Sequence, residues 1–301
     1  MTCSLAGRTL LVCMLGAAPA IAADPLPETV ADGAALLEVY GDERFFEGPT
    51  WDPQNKRLLF TAFGETTQIL RLDEPGKVTV WLDASEGVNG TYLSNDGRLL
   101  GAQAYGHRVM SYGFGPEGPA DSTVLYFDAA LHQPNDVCQA PNGDVYFTDP
   151  DFDGMKTSAV YRLRDGAATK IVEDMPVPNG LKTSLDGRTL IVGDSHLALW
   201  RAYTLNDDGT VTDGRVFFDP ATDRRDSPDG MGLDEHGNYY LSGRGGVWVA
   251  TPAGGSLGLI PVPEFCSNVT FGGEDGRTLY LTCSKKVYSL AMKVRGEKFR
   301  E

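Results

Sequence analysis

Histidine is scarce in this chain. Only His107, His132, His196 and His236 occur among 301 residues, and they are scattered singly. That spacing excludes a His-Glu-x-x-His metal helix, and neither a Gly-x-Ser-x-Gly elbow, a Cys-x-x-Cys pair nor a phosphate-cradling glycine loop is present. Basic residues are also few: 26 Lys and Arg against 41 Asp and Glu, a formal net charge of -15. An acidic surface repels phosphate backbones and anionic lipid, so neither nucleic acid nor a membrane is expected as a partner. No apolar run is long enough to span a bilayer, and beyond the N-terminal segment no stretch carries a convincing helical period. Five cysteines leave little room for a disulfide framework.

Residues 1–22 read as a secretory signal. Arg8 precedes an apolar run from Leu10 to Ala18, and Ala20-Ile21-Ala22 supplies a small-residue cleavage site. Val12 before Cys13 argues against a lipoprotein signal. The expected address is the periplasm or the cell exterior, with residues 23–301 as one monomeric domain. Cys3 and Cys13 leave with the signal. If the last hairpin turns at Gly272 to Gly276, then Cys266 and Cys283 fall opposite each other, where an oxidising compartment would let them bond.

What the chain has in abundance is glycine, 36 residues, with 18 prolines, the composition of many short strands joined by turns. One arrangement recurs. Asp229 is followed eight residues later by Gly237 in a polar turn and then by the apolar run Tyr239-Tyr240-Leu241. The same spacing joins Asn89 to Gly97, Asn135 to Gly143, Asn179 to Gly187 and Asn268 to Gly276, and Glu47 to Asn55, the other residue type that tolerates a left-handed turn. The six starts lie 42, 46, 44, 50 and 39 residues apart. A period of roughly 40 to 50 residues with several short strands per repeat is that of β-propeller blades around a central channel. The fold expected is therefore all-β, a six-bladed β-propeller. A strand near Leu36 to Tyr40, without an inner partner of its own, closes the short sixth blade and removes its open edge, and Lys293 to Glu301 reads as a polar tail.

In that fold Glu47, Asn89, Asn135, Asn179, Asp229 and Asn268 converge at one height on the channel wall. Two carboxylates among carboxamides form a hard, oxygen-only donor set, which selects Ca²⁺, or Mg²⁺ and Mn²⁺, over zinc or copper. Without a cation, Glu47 and Asp229 repel each other and one should hold a proton. Loops after the second strands, including Asp149-Pro150-Asp151-Phe152 and Asp194-Ser195-His196, are expected near the rim.

The segments Glu47-Gly48-Pro49-Thr50-Trp51, Pro134-Asn135-Asp136-Val137, Pro178-Asn179-Gly180-Leu181 and Pro228-Asp229-Gly230-Met231, with Gly245-Gly246-Val247-Trp248-Val249 and the run from Phe271 to Tyr280, resemble the gluconolactonase and regucalcin family of six-bladed propellers. The resemblance implies a divalent metal held by Glu47, Asn179 and Asp229, with Asn135 touching substrate or completing the shell. Tyr105-Gly106-His107-Arg108-Val109 resembles the family's rim segment in blade two, which places His107 with Asn89, Asn135 and Asn268 as substrate contacts. Two positions differ from the pattern: Gln133 stands where several lactonases carry Arg, and Asp151-Phe152 where a Pro-Tyr pair is usual.

The activity expected is metal-assisted hydrolysis of a small lactone. The cation stabilises the oxyanion that develops on the carbonyl oxygen, and Asp229 is the general base. Two alternatives are a phosphotriesterase-like reaction with Asp229 as nucleophile, and a calcium-stabilised binding propeller without catalysis.

Overall fold

The computed structural model describes residues 25–220, 227–243 and 245–300. The expected signal segment lies outside them. Among the described residues the strands form six antiparallel four-stranded sheets, and the single helical turn is the short 3-10 segment Glu297–Phe299. The inner strands are Phe45–Asp52, Val88–Leu93, Val137–Gln139, Pro178–Thr183, Met231–Leu233 and Cys266–Gly272. Each touches the inner strands of the blades before and after it, and the first touches the last, so the ring is closed. The protein is a six-bladed β-propeller.

The second strand of each blade is apolar on both faces because both faces are buried between blades. In blade one, Leu58 and Phe60 pack with Phe46 and with Val287 of blade six. Leu59, pointing the other way, packs with Ile69 and with Val88 and Leu99 of blade two. The period of two along a strand thus sends alternate side chains into two different interfaces. In blade four, Ile191 joins Met231 and Leu241 of blade five, while Leu190 and Val192 join the cluster shared with blade three.

Closure follows the expected route. Leu37–Gly41 pairs antiparallel with Lys286–Ala291 as the outer strand of blade six, and Val30 bridges to Met292 just below. Cys266 and Cys283 are register partners across the inner hairpin of that blade, and both are buried free thiols.

The last residues, which read in sequence as a polar tail, are instead a strap across the lower mouth of the channel. Gly296 bridges to Asp234 in blade five. The Glu297 carboxylate accepts from Tyr92 Oη of blade two at 3.3 Å and pairs with Lys182 Nζ of blade four at 3.2 Å. Lys298 Nζ sits 4.4 Å from the centre of the Tyr92 ring, and Phe299 packs with the cluster that contains Trp51.

Every inner strand is irregular at the same height. Blades one, two, four and six shift register between Glu47 and Thr50, Val88 and Thr91, Pro178 and Leu181, and Cys266 and Asn268. In blade three, Thr148 bonds Asn135 N–H and Asp136 C=O, and in blade five Ser242 does so with Asp229 N–H and Gly230 C=O. Two residues therefore oppose one, which is a β-bulge, and a bulge turns a side chain out of the sheet's alternation. Here it turns the ring residues toward the axis. The neighbouring blades must then pass very close. A Cβ on Gly180 would overlap the Asp229 carbonyl oxygen, and one on Gly230 would overlap the Asn268 side chain. Gly180→Ala should therefore destabilise the fold by about 1–3 kcal/mol, the usual range for overpacking, read as a lower denaturant midpoint. An unchanged midpoint would show that the blades are not held in contact at the axis.

Candidate active site

The upper half of the channel is a cavity of about 430 Å³ floored by Glu47, Asn89, Asn135, Asn179 and Asp229. Five of the six ring residues thus share one cavity. Phe45, Phe152, Met155 and Val177 form its apolar wall, with Ser195, His196 and Ser227 beside Asn179 and Asp229.

Glu47 is buried, and its two oxygens are treated differently. Oε2 accepts from the backbone N–H of Gly48 and from Asn268 Nδ2 at 3.1 Å. Oε1 is buried with no partner. Asn179 repeats the pattern. Its Nδ2 donates to Ser195 Oγ at 3.1 Å, and that hydroxyl gives its own hydrogen to the Pro228 carbonyl at 2.6 Å. The Ser195 oxygen is then left only as an acceptor, which fixes the amide flip and leaves Asn179 Oδ1 buried without a partner. An unpaired buried acceptor is costly. Two of them, beside Asp229 in one cavity, are what a hard cation would satisfy. The donor set of two carboxylates and carboxamide oxygens fits calcium, magnesium or manganese. Among the described residues no group of three or more His, Cys, Asp or Glu is placed to hold a metal, so a cation here would depend on the carboxamide oxygens as well.

The electrostatics agree. Burial, then the charges of Glu47 and Asp136, push Asp229 far above the ordinary carboxylate range. Glu47 is raised by burial and by Asp136. Asp136 is raised by burial, an effect opposed by the Lys182 ammonium and by the hydrogen bond from Asn268. Three carboxylates are thus held together without a counter-charge at the ring itself.

Two expected site residues lie elsewhere. Asn268 does not line the upper cavity; it sits beneath Glu47 and faces a second, lower cavity. The bulge in blade six is the reason, since it lies between Cys266 and Asn268 and places the amide below the ring. His107 does not line the cavity either. It occupies the left-handed region at φ 51°, and its Nδ1 lies 2.7 Å from the Leu131 carbonyl. A carbonyl only accepts, so Nδ1 carries the proton and the ring ties the blade-two loop to the approach of blade three. Gln133 is exposed, and its N–H, with that of His132, is held by the buried Asp149 carboxylate. Asp194 does the same for His196 and Leu197. Both aspartates shape rim loops and do not line the cavity.

Asp136 and Ser195 carry roles that spacing did not assign. Glu47, Asn89, Asn179 and Asp229 are each followed by glycine, but Asn135 is followed by Asp136. That exception is the readable sign of a third axial carboxylate.

Residues 45–285 match the SMP-30/Gluconolactonase/LRE-like region. The chain is 29% identical to the gluconolactonase of Zymomonas mobilis over 310 residues, covering 90% of this chain and 85% of that one. It is 28% identical to the pentonolactonase XacC of Haloferax volcanii over 246 residues, covering 79% and 81% of the two chains. Among solved structures, a gluconolactonase from Xanthomonas campestris superimposes with a TM-score of 0.77 at 27% identity, covering 92% of this chain and 98% of that one. With a six-bladed ring, a family match across nearly all of it and similarity along most of its length, the chain belongs to the SMP-30/gluconolactonase/LRE-like family.

Proposed function

We infer that the protein is a metal-dependent lactone hydrolase, gluconolactonase-like, that opens a small cyclic ester with water. The observation that carries this is the pair of orphaned buried acceptors, Glu47 Oε1 and Asn179 Oδ1, on residues that line one cavity with Asp229. The similarity to a gluconolactonase and a pentonolactonase along most of the chain supports the substrate class. Residues 1–22 support a periplasmic or extracellular address.

Glu47, Asn179 and Asp229, with Asn135, would hold the cation, and calcium suits a mainly neutral, oxygen-only set best. Bound there, the cation supplies Lewis-acid stabilisation of the charge that develops on the lactone carbonyl oxygen. Asp229 would share in holding the cation and is the carboxylate that acts as base. It takes a proton from the attacking water and returns it to the ring oxygen as the C–O bond breaks, so one lactone and one water give one hydroxy acid. Asn89 and Asn135 present carboxamide N–H groups from the same floor to orient substrate oxygens. The apolar wall of Phe45, Phe152 and Val177 keeps bulk water from the buried carboxylates.

Asp229→Asn keeps the size and one oxygen ligand but removes the base. Turnover of the best aldonolactone should fall by about 10² to 10⁴, the usual worth of general-base catalysis, while calcium still binds by calorimetry. Parent-like turnover with calcium bound would exclude Asp229 as the base. Chelation should abolish turnover and added calcium restore it, across a panel of aldonolactones; a chelated enzyme that still turns over would end the metal requirement.

Stability gives a separate reading. In the metal-free protein Glu47, Asp136 and Asp229 all have folded-state pKa values above their unfolded ones. Their contribution is therefore complete below the ordinary carboxylate range and is lost as pH rises through the raised values. Metal-free protein should melt lower at about pH 8 than at about pH 5.5, and calcium should remove most of the difference. Glu47→Gln should flatten the same profile. Differential scanning fluorimetry in chelator decides it: a profile equally steep in parent and variant would mean that the ring carboxylates are not its source.

A further inference from the structure

Between the ring and the C-terminal strap lies a lower cavity of about 190 Å³. Asp136 and Asn268 face it and do not line the upper cavity, so neither is placed to touch a substrate bound above. Both are nevertheless buried on the axis, and both meet Glu47's half of the ring. Asn268 Nδ2 is 3.1 Å from Glu47 Oε2 and 3.4 Å from Asp136 Oδ1, and Asn268 Oδ1 accepts the N–H of Val269 at 2.8 Å. The amide therefore has no freedom to flip. Its oxygen is held by a backbone donor, and its two N–H groups point at two carboxylates, one above and one beside it.

The result is asymmetric. With Gly48 N–H and Asn268 Nδ2 both on Oε2, one oxygen of Glu47 is taken by protein donors, and Oε1 is the buried oxygen left without a partner. Gly230 sharpens the constraint, since the missing Cβ there is the space that the Asn268 side chain occupies. Blade five thus leaves a slot, blade six fills it with an amide, and the amide turns a carboxylate of blade one.

We propose that Asn268, backed by Asp136, is a positioning residue for the cation site: it commits Glu47 to a single upward-facing donor oxygen from below the ring. This rests on the cation reading of the site given above. Partners that orient a ligating group are commonly worth 10–100-fold in metal affinity. The commitment is made before any metal arrives, because every bond in it is internal to the protein.

Calcium titrated calorimetrically into chelator-stripped protein tests it. Asn268→Leu keeps the branching and heavy-atom count and removes both donors, and Asn268→Ala serves should the leucine variant not fold. Calcium affinity should fall about 10–100-fold, with the metal-free variant retaining the parent's circular dichroism. Asn268 acts through Glu47, so the Glu47→Gln, Asn268→Ala double variant should bind no more weakly than Glu47→Gln alone. Parent-like affinity in the Asn268 variants, or losses that multiply in the double variant, would overturn the proposal. Calcium failing to bind the parent at all would instead overturn the cation reading, and this inference with it.

Discussion

Three carboxylates confined to one axis, with water largely excluded, set the terms for this molecule. Burial raises the proton affinity of Glu47, Asp136 and Asp229; the charge of Asp136 raises Glu47 further, and the charges of Glu47 and Asp136 raise Asp229. Such a cluster persists only if the surrounding framework is stiff enough to resist its own repulsion. The framework here is the stack of six blade interfaces. Each is filled from both sides by second strands whose alternate residues are shared out between neighbours. Closure by Leu37–Gly41 matters for the same reason: an open ring could relax outward and separate the charges, whereas a closed one keeps them together on the axis.

The bulges convert that stiffness into chemistry. A regular inner strand would present alternate residues to its two neighbouring blades and only edges to the axis. An extra residue at each ring position turns a polar side chain inward, and glycine beside it lets the next blade approach. Around this floor a second set of hydrogen bonds decides orientation. Ser195 turns Asn179, Asn268 turns Glu47, and Asp149 and Asp194 anchor the loops that carry the rim. The acceptors left over point the same way.

Much of this was legible in sequence. The eight-residue interval from Glu47, Asn89, Asn135, Asn179, Asp229 and Asn268 to a turn marks the inner hairpins because strand length and turn chemistry are local properties. The closing strand was legible from the shortness of blade six. Five ring residues meet as their spacing implied, and Asn268 does not, because its height depends on a bulge, and register belongs to a pair of strands. His107 was placed at the rim by resemblance, but its ring is spent on the Leu131 carbonyl. The strap looked like a tail because its partners, Tyr92, Lys182 and Asp234, are far apart in the chain and come together only when the ring closes.

That strap also settles the traffic. With Gly296 to Phe299 lying across the lower mouth and Asn268 and Asp136 lining the lower cavity, the described residues leave the upper cavity open on the side away from the strap. On the proposed function, a hydroxy acid formed at the floor would leave past Phe45 and Phe152 by the way the lactone came in, so arrival and departure would not overlap. Each molecule of product is, for as long as it lingers, a competitor for the next molecule of substrate.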